Sequence, residues 1–318
     1  MSGISDAALR HLQEIADLPD LDGTPYEILE TIGRGGMGTV YLARDRRLDR
    51  EVALKVVQLP GGAAEDVDRL LREARVLARL EHPGIVPVHD AGLLPDGRAF
   101  YAMKRVRGSR LDEHARAVPL AERLRAFERI CEAVAFAHAH GVIHRDLKPE
   151  NVMVGPFGEV LVMDWGVAKV SSHPPSTGEE EKAAWMGDSN LTAHGTILGT
   201  PGYMAPEQER GEVDRIDERT DVWALGALLG FLLAGAEAPR PLEAIRRRAM
   251  ATDPRDRYPR VEELAADLSR YLAGSAVSAH RESLLDRAGR FARRHRVAIL
   301  LVLAYVLMRA LLVLILGR

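Results

Sequence analysis

The residues most capable of chemistry lie in a short polar stretch at 141–154, which reads GVIHRDLKPENVMV. Apolar runs precede and follow it, so the polar side chains belong to a loop between two buried segments. The carboxylate of Asp146 can accept a proton, the ammonium of Lys148 can neutralise phosphoryl charge, and the amide oxygen of Asn151 can bind Mg²⁺. These residue types favour phosphoryl transfer over the simpler alternative, an ordinary solvated turn.

A second acid, Asp164 in the triplet DWG, supports the chemical interpretation. It follows Asn151 by 13 residues, after the apolar segment VMVGPFGEVLVM. An antiparallel hairpin of that size returns the chain to where it left. The sequence therefore predicts that Asn151 and Asp164 lie close enough to share one metal ion.

A glycine cluster, GRGGMGTV, lies between two predicted strands. Gly33, Gly35, Gly36 and Gly38 have no Cβ, so their backbone N–H groups can approach phosphates. The cluster alone also fits a dinucleotide fingerprint or a merely flexible hairpin. A dinucleotide site needs a helix directly after the glycines, whereas TVYLARD continues as a strand, which favours a hairpin that covers phosphates.

Lys55 lies in the apolar strand VALKVV. A lysine there usually extends its ammonium to water from a sheet edge. If the ammonium is buried instead, it needs an anionic partner. Glu73, near the apolar face of the next predicted helix, is the candidate, and such a pair would direct the ammonium at nucleotide phosphates.

These residues must be positioned by a strand-rich first third and a helix-rich remainder, which predicts an α+β protein in two lobes. Alternation and β-branched residues predict strands within 26–58 and in GIVPVHDAGLL and AFYAMKRV. Apolar spacing predicts helices at 65–80, 120–140, 218–234, 241–250 and 259–272. The polar stretch 171–190 is predicted to be a loop.

The composition fits a large intracellular domain. The chain has 318 residues, of which 47% are hydrophobic and 28% charged, enough for one large domain or two lobes. Its single cysteine, Cys131, excludes an intrachain disulfide framework and a CxxC-type metal site, and fits a reducing compartment. The N-terminal extension, 1–25, lacks a signal-peptide pattern and includes a predicted short helix.

Several motifs occur together in one order: GRGGMGTV, VALK, HRDLKPEN, DWG, GTPGYMAPE, DVWALG and DPRDRY. In this the chain resembles the eukaryotic-type (Hanks-type) serine/threonine protein kinases of bacteria, over about 26–272. The resemblance implies a bilobal fold with a β-rich N-lobe, 26–106, and a mostly helical C-lobe, 107–272. It also implies that ATP, with Mg²⁺, supplies a γ-phosphate to Ser/Thr hydroxyls of protein substrates.

The resemblance assigns roles to individual residues. The implied catalytic residues are Asp146, Lys148, Lys55 and Glu73, and the implied metal ligands are Asn151 and Asp164. The implied ATP-binding residues are Ile32, Gly33, Gly35, Gly36, Gly38, Val40, Ala53, Lys55, Met103 and Met153. Asp146 would accept or orient the substrate hydroxyl proton, Lys148 would contact the γ-phosphate, and Lys55 would hold the α- and β-phosphates.

The resemblance also implies supporting and regulatory residues. Asp221 would brace the catalytic loop from beneath, and Glu207 and Arg257 would form a buried ion pair. Arg145 would gather a phosphate carried by the activation segment, where Thr192 and Thr196 are the phosphorylation candidates. Autophosphorylation in trans would involve a dimer.

Two departures from the family pattern stand out. Trp165 replaces the usual phenylalanine and is expected to pack under the 65–80 helix. The connection at 235–240 is shorter than usual, which puts substrate docking in doubt and leaves part of the lower lobe uncovered. These departures motivate an alternative function, a membrane-tethered pseudokinase or scaffold that binds nucleotide without efficient turnover. A small-molecule kinase is disfavoured because GTPGYMAPE resembles a peptide-positioning segment.

The C-terminal sequence predicts membrane attachment. Residues 297–316 form an apolar run with one charge, Arg309, and as a helix would span about 30 Å. The basic juxtamembrane segment 273–296 suits an anionic membrane surface and, by the positive-inside rule, would stay cytoplasmic. The expectation is a single-pass C-terminal transmembrane helix in the cell membrane with a cytoplasmic kinase domain and no nucleic-acid partner. An interfacial or partner-buried helix is the alternative.

Overall fold

The computed structural model describes residues 18–35, 38–57, 74–165, 169–170, 202–235, 238–280 and 296–316. Its first part is a five-stranded antiparallel sheet in the order β1-β2-β3-β5-β4. The strands are β1 (Tyr26–Gly35), β2 (Gly38–Asp45), β3 (Arg50–Val57), β4 (Val88–Leu93) and β5 (Ala99–Lys104). Strand β3 lies at the centre and is buried from Val52 to Val57, as its run of apolar residues predicts.

The β1–β2 hairpin places the glycine cluster at the edge of this sheet. Gly35 pairs with Gly38 across the hairpin. At Gly38 the backbone has φ +143°, and a Cβ there would lie 2.1 Å from the carbonyl oxygen of Val56. Glycine is therefore required at this position, where the hairpin approaches β3 too closely for a side chain.

The second part is mainly helical. Its helices are α1 (Leu111–Ala117), α2 (Leu120–Ala139), α3 (Pro206–Glu209), α4 (Glu218–Leu233), α5 (Arg240–Ala249) and α6 (Val261–Leu272). Short strands complete it: β6 (Ser109–Arg110), β7 (Val142–Ile143), β8 (Val152–Val154), β9 (Val160–Val162) and β10 (Lys169–Val170). Helix α2 lies at the centre of the core and packs against α4 and α6. The α+β, two-lobed prediction is confirmed.

The four helices predicted after residue 120 are present within one or two residues of their predicted bounds. The β8–β9 hairpin, inferred from VMVGPFGEVLVM, is also confirmed. Of the helix predicted at 65–80, residues 74–78 are helical. The rest of that prediction, the N-terminal helix and the 171–190 loop lie outside the described residues.

The shortened connection brings α5 directly against α4. Two glycines of α4 make the contact possible: a Cβ at Gly226 would lie 2.7 Å from Met250 Cγ, and one at Gly230 would lie 3.1 Å from Arg246 Cδ. Beside this contact lies a surface depression of about 390 Å³, whose lining includes Ala227 and Ala238. The sequence predicts that the short connection leaves part of the lower lobe uncovered, and this stays a prediction.

The N-terminal residues from Leu18 onward are tied to the β4–β5 turn. The guanidinium of Arg98 donates to the Leu18 carbonyl at 2.9 Å, and the Asp20 N–H donates to Asp96 at 3.1 Å. Leu21 packs against the apolar cluster on one face of the sheet. This part of the N-terminal extension is therefore a docked element of the first lobe.

Residues 277–280 are held on α6 by a single buried carboxylate, Asp267. It accepts hydrogen bonds from the Ser278 N–H at 2.7 Å, the Ser278 hydroxyl at 2.7 Å and the Ala279 N–H at 3.0 Å. Tyr258 Oη and Arg270 also donate to it, at 2.9 and 2.7 Å. We call this set of contacts the Asp267 latch. It fixes residues 277–280 against the second lobe.

The hydrogen bonds of the Asp267 latch should protect the Ser278 and Ala279 amides from hydrogen exchange. Asp267→Asn removes the charge and turns one acceptor into a donor, so hydrogen bonds from backbone N–H groups are lost and buried donors lose their partner. We expect the amides of Ser278 and Ala279 to exchange faster and the melting temperature to fall. The exposed acid Glu263 on the same helix provides the control, since Glu263→Gln should change neither. Unchanged protection of the two amides in Asp267→Asn would contradict the latch.

The last helix described is α7 (Arg296–Leu316). Its large apolar side chains between Leu300 and Met308 are each more than half exposed. Across the ranges of the chain given above, no helix is both long enough and apolar enough to cross a membrane.

Candidate active site

The polar loop at 144–151 leaves the buried strand β7 and returns through β8. Helix α2 ends at His140, and Gly141 takes the left-handed conformation, φ +71°, that ends many helices. Val142 and Ile143 are buried, and Pro149–Asn151 form a single 3₁₀ turn before β8. The polar residues are thus fixed at both ends by buried apolar segments.

Asp221, at the N-terminal end of α4, holds the loop from below. Its carboxylate accepts the N–H of His144 and the N–H of Arg145, both at 2.8 Å. His138 of α2 lies 2.7 Å from the same carboxylate. Complete burial would raise the pKa of Asp221, but the His138 contact and these donors hold it below its ordinary value, so the carboxylate is ionised. The predicted brace is confirmed.

His144, a residue with no predicted role, connects this loop to the DWG segment. Its Nδ1 accepts the Asp146 N–H at 3.3 Å and its Nε2 donates to the Met163 carbonyl at 3.0 Å. Burial lowers the pKa of this imidazole, although Asp221 acts in the opposite direction, so it is neutral at pH 7. Its position in the HRD triplet, after an apolar pair and two residues before Asp146, was the sequence feature that could have indicated this role.

Three predicted site residues lie together on the loop. The Lys148 ammonium is 2.8 Å from an Asp146 carboxylate oxygen. The Asn151 amide nitrogen donates to the Asp146 carbonyl at 2.8 Å and to its carboxylate at 3.2 Å. Asp146 is therefore oriented from two sides, and the Asn151 amide oxygen is the atom of that side chain not used in these bonds.

The β8–β9 hairpin returns the chain to this loop. The Met163 N–H donates to the Asn151 carbonyl at 2.8 Å, so Asp164 follows one residue after a direct contact with Asn151. Asp164 forms an ion pair with Lys55 of β3. Strand β3 of the first lobe and the DWG segment of the second thereby meet at one charge pair.

The Lys55 ammonium is buried, with 8% of its side chain exposed. Burial alone would lower its pKa, but the Tyr101 hydroxyl group and the Asp164 carboxylate outweigh burial and raise the pKa above its ordinary value. The lysine is thus a fixed positive charge. The partner predicted from sequence, Glu73, lies outside the described residues.

The backbone has an uncommon conformation at two places, in the loop next to Asp146 and in the DWG segment. Arg145 and Asp164 have φ of +69° and +62°, although neither is glycine. Such residues cost about 1–3 kcal/mol each and persist where surrounding contacts impose them. Here the contacts are those of Asp221 and Lys55, so the strain lies at the two segments that carry the chemistry.

The predicted ATP-binding residues are only partly brought together. Ala53 and Met103 face each other across the β3–β5 pair and share an apolar cluster with Val40. Gly33 pairs with Val40 on the neighbouring strand, and Ile32 beside it is half exposed. Gly35 and Gly38 close the hairpin. Together these residues lie on neighbouring strands of one sheet.

The base contact predicted from the second lobe is on strand β8. Met153 lies there, paired with Leu161 and with Arg110, and is partly buried. Met163, which is not among the predicted ATP-binding residues, packs against the cluster that contains Ala53 and Met103. Three other predicted residues lie outside the described residues: the ATP-binding residue Gly36 and the phosphorylation candidates Thr192 and Thr196.

The donors available for a metal suit magnesium. Asn151 and Asp164 offer an amide oxygen and a carboxylate, the hard oxygen ligands that Mg²⁺ prefers. Within the described ranges, no group of three or more His, Cys, Asp or Glu side chains could hold a metal by itself. Mg²⁺ is commonly bound by one or two protein oxygens together with substrate phosphates, so this donor set fits a metal that arrives with a nucleotide.

Trp165 is buried beneath this site. Its indole N–H donates to the Val162 carbonyl at 3.1 Å, and its ring lies 4.6 Å from the ring of His144. It belongs to the same large buried cluster as Leu77, from the predicted 65–80 helix, and its packing directly under that helix stays a prediction. A phenylalanine could not make the indole hydrogen bond, so tryptophan adds a constraint on the DWG backbone.

Trp165→Phe should therefore weaken the site without unfolding the protein. Loss of one hydrogen bond and part of a buried ring should cost about 1–2 kcal/mol of unfolding free energy, and phosphotransfer should fall because the DWG segment is held less firmly. The matched control is Trp223→Phe, because Trp223 stacks on Arg257 and its indole N–H has no partner among the described residues. Equal effects of the two changes on activity would contradict a positioning role for Trp165.

A buried ion pair anchors the segment that follows the site. Arg257 makes two hydrogen bonds to Glu207, at 2.7 and 2.8 Å, and both side chains are fully buried. Thr220 donates to the same carboxylate at 3.1 Å. Next to it, Gln208 donates to the Arg145 carbonyl at 2.9 Å, which links this segment to the catalytic loop. The predicted Glu207–Arg257 pair is confirmed.

A sheet lobe and a helical lobe that meet at a lysine–aspartate pair, beside a braced polar loop, define the protein kinase class. The protein kinase domain family model matches residues 26–299. The chain therefore belongs to the protein kinase family, and its relatives place it with the bacterial serine/threonine protein kinases.

Two relatives are named serine/threonine-protein kinase PknD. The protein from Protochlamydia amoebophila is 34% identical over 300 residues, covering 78% of this chain and 30% of its own length. The protein from Chlamydia trachomatis serovar D is 36% identical over 301 residues, covering 78% and 32%. The chain thus spans about a third of the length of these relatives.

Solved structures are similar to the same region. The kinase domain of Mycobacterium tuberculosis PknI is 29% identical, with a TM-score of 0.58, and the match covers 79% of this chain and 96% of that one. A second structure of that domain has a TM-score of 0.57 at 27% identity, covering 77% and 95%. The likeness confirms the kinase fold for the two lobes.

Proposed function

We propose that this chain is an active ATP-dependent protein kinase that transfers a γ-phosphate to serine or threonine hydroxyls of proteins. The observation that carries the proposal is the convergence of Asp146, Lys148 and Asn151 in one hydrogen-bonded group. A backbone hydrogen bond from Met163 to Asn151 and the His144 side chain join that group to the segment that carries Asp164, the partner of Lys55. Phosphoryl transfer needs this kind of arrangement, because positioning and charge stabilisation supply most of its catalysis.

Asp146 is the proposed acceptor or orienting group for the substrate proton. Lys148, already at its carboxylate, brings a positive charge to the same place and stabilises charge that develops on the transferred phosphoryl group. The Asn151 hydrogen bonds fix the direction of the Asp146 carboxylate. A hydroxyl oxygen placed beside Asp146 is then oriented for attack while its proton has an acceptor.

ATP and Mg²⁺ are the proposed cofactors. Asn151 and Asp164 would hold the metal, which when bound neutralises phosphate charge. Lys55 supplies a buried, permanently charged ammonium for the α- and β-phosphates, and Glu73 is its proposed second partner. The glycine hairpin with Ile32, Gly33, Gly35, Gly36 and Gly38 covers the phosphates. Val40, Ala53, Met103 and Met153 are the proposed apolar contacts of the base.

A transfer assay tests this proposal. Full-length protein is incubated with γ-labelled ATP and Mg²⁺, with itself or a generic protein as acceptor, and a chelator provides the control. Label should appear on serine or threonine and disappear with the chelator. Tight nucleotide binding without transfer would instead favour the pseudokinase or scaffold, an alternative that no observation among the described residues supports.

We propose Thr192 and Thr196 as autophosphorylation sites, modified in trans within a transient dimer. The support is Arg145, whose backbone is fixed by Asp221 and Gln208 and whose guanidinium suits a phosphate. Mass spectrometry of protein incubated with ATP tests the sites. Phosphate found only elsewhere in the chain would sink this assignment.

We propose that the C-terminal segment attaches the kinase to the cell membrane with the catalytic lobes on the cytoplasmic side. The support is the apolar sequence 297–316 behind a basic stretch, and the exposed apolar side chains of α7. Fractionation tests it: alkaline carbonate releases a surface-bound protein but leaves a membrane-spanning one in the pellet. Recovery in the soluble fraction without any such treatment would contradict attachment of either kind.

A further inference from the structure

A mixed-charge cluster lies beside the proposed catalytic loop, and the proposed reaction makes no use of it. Its centre is Arg110, the last residue of β6. The Arg110 Nε donates to Asp112 at 3.0 Å, and its terminal nitrogen lies 3.7 Å from a Glu150 carboxylate oxygen. One positive charge therefore faces two negative charges.

The cluster is next to the place where an acceptor hydroxyl would bind. Glu150 lies in the 3₁₀ turn between Lys148 and Asn151. Strand β6 pairs with β8 so that Arg110 is opposite Met153. Glu150 is thus part of the proposed catalytic loop, while Arg110 and Asp112 lie on β6 and at the start of α1, beside the strand that follows that loop.

The cluster is also open to a peptide. The exposed fractions of the Arg110, Asp112 and Glu150 side chains are 44%, 18% and 43%. Tyr203, from the segment after residue 202, lies near both acids: burial raises the pKa of its hydroxyl, and the Glu150 and Asp112 charges raise it further. The partial exposure of the two acids leaves them accessible to a substrate side chain.

We propose that Arg110 is a specificity-determining residue, which rests on the proposed kinase function. By pairing with Glu150 and Asp112 it prevents these acids from selecting acceptor peptides with arginine or lysine near the serine or threonine. A substrate arginine has to displace Arg110, which belongs to the same chain as the two acids and so has a high effective concentration beside them. Exchanging one partly exposed ion pair for another also gains little free energy. The enzyme should accordingly accept serine or threonine sites with or without basic flanking residues.

The test compares two acceptor peptides that differ only in their flanking residues, arginine in one and glutamine in the other. For the wild-type enzyme, kcat/KM for the two peptides should be similar. Arg110→Ala leaves Glu150 and Asp112 uncovered, so the arginine peptide should gain about fivefold over the glutamine peptide, the upper range for a partly exposed ion pair. The gain should shrink at high salt.

Two further variants separate the cluster from general charge effects. Arg107→Ala removes the same charge from an exposed side chain that pairs with Glu51 in the first lobe, and should leave the peptide ratio unchanged. Adding Glu150→Gln to Arg110→Ala should return the ratio toward that of the wild type. Arg110→Gln, which keeps most of the side chain, serves if the alanine variant does not fold.

The outcomes distinguish this inference from the proposed function. Wild-type protein that phosphorylates neither peptide nor itself contradicts the kinase function. Wild-type protein that already prefers the arginine peptide, or an Arg110→Ala enzyme with an unchanged ratio, overturns the role of Arg110 while leaving the kinase function standing.

Discussion

Asp146→Asn should lower the rate of phosphotransfer by about 10²–10⁴-fold, the range for loss of a general acid–base group. Asparagine has nearly the same shape but cannot take up the substrate proton, and the ion pair with Lys148 is lost. Nucleotide affinity should change little, because Lys55 and Asp164 are untouched. Single-turnover kinetics at saturating ATP, together with calorimetric titration of nucleotide, separate the two quantities.

The same substitution at an exposed aspartate provides the control for Asp146→Asn. Asp214, exposed in a separate turn of the second lobe, can be changed to Asn with no expected loss of activity. Activity that survives in Asp146→Asn would contradict the role of this carboxylate, whatever the chain turns out to phosphorylate.

Glu207→Gln should lower the free energy of unfolding by about 3–5 kcal/mol. The change leaves the Arg257 guanidinium buried without its ionised partner, and desolvation of that charge is then uncompensated. Urea denaturation monitored by circular dichroism measures the loss. Glu243→Gln breaks a partly exposed pair with Arg246 and should cost at most about 1 kcal/mol.

The same pair makes the stability depend on pH. Burial would raise the pKa of Glu207, but its hydrogen bonds to Arg257 hold the pKa below its ordinary value. A depressed pKa means that the stabilisation is complete above the unfolded-state pKa and is lost as pH falls through the folded-state value. The stability gap between wild type and Glu207→Gln should therefore narrow in acid. A gap that stays constant down to the acid transition, or a small gap at neutral pH, would contradict a charged pair.

The secondary structure was largely predictable because it follows local rules. Alternation in YEILETIG and the apolar run around Lys55 predict strands, and the spacing within 120–140 predicts α2. The return of Asp164 to Asn151 was predictable too, since it needs only a hairpin of known length. The Glu207–Arg257 pair came from the family resemblance and not from spacing, because 50 residues separate its partners.

What the sequence could not provide are contacts set by packing. The ion pair of Lys55 with Asp164 joins residues 109 positions apart, and periodicity carries no information about such partners. The left-handed backbone at Arg145 and Asp164 runs against residue preference, which would place glycine there. The sequence likewise does not predict that Asp267 is buried with five hydrogen-bond donors, because an aspartate in a helix is normally expected at the surface.

The Asp267 latch lies at one end of a series of contacts that leads to the catalytic loop. A displacement of residues 277–280 would pull first on α6, which packs along α2. Helix α2 runs directly into Gly141 and the loop that carries Asp146. The latch therefore links residues 277–280 to the catalytic loop through one helix–helix contact and one helix end.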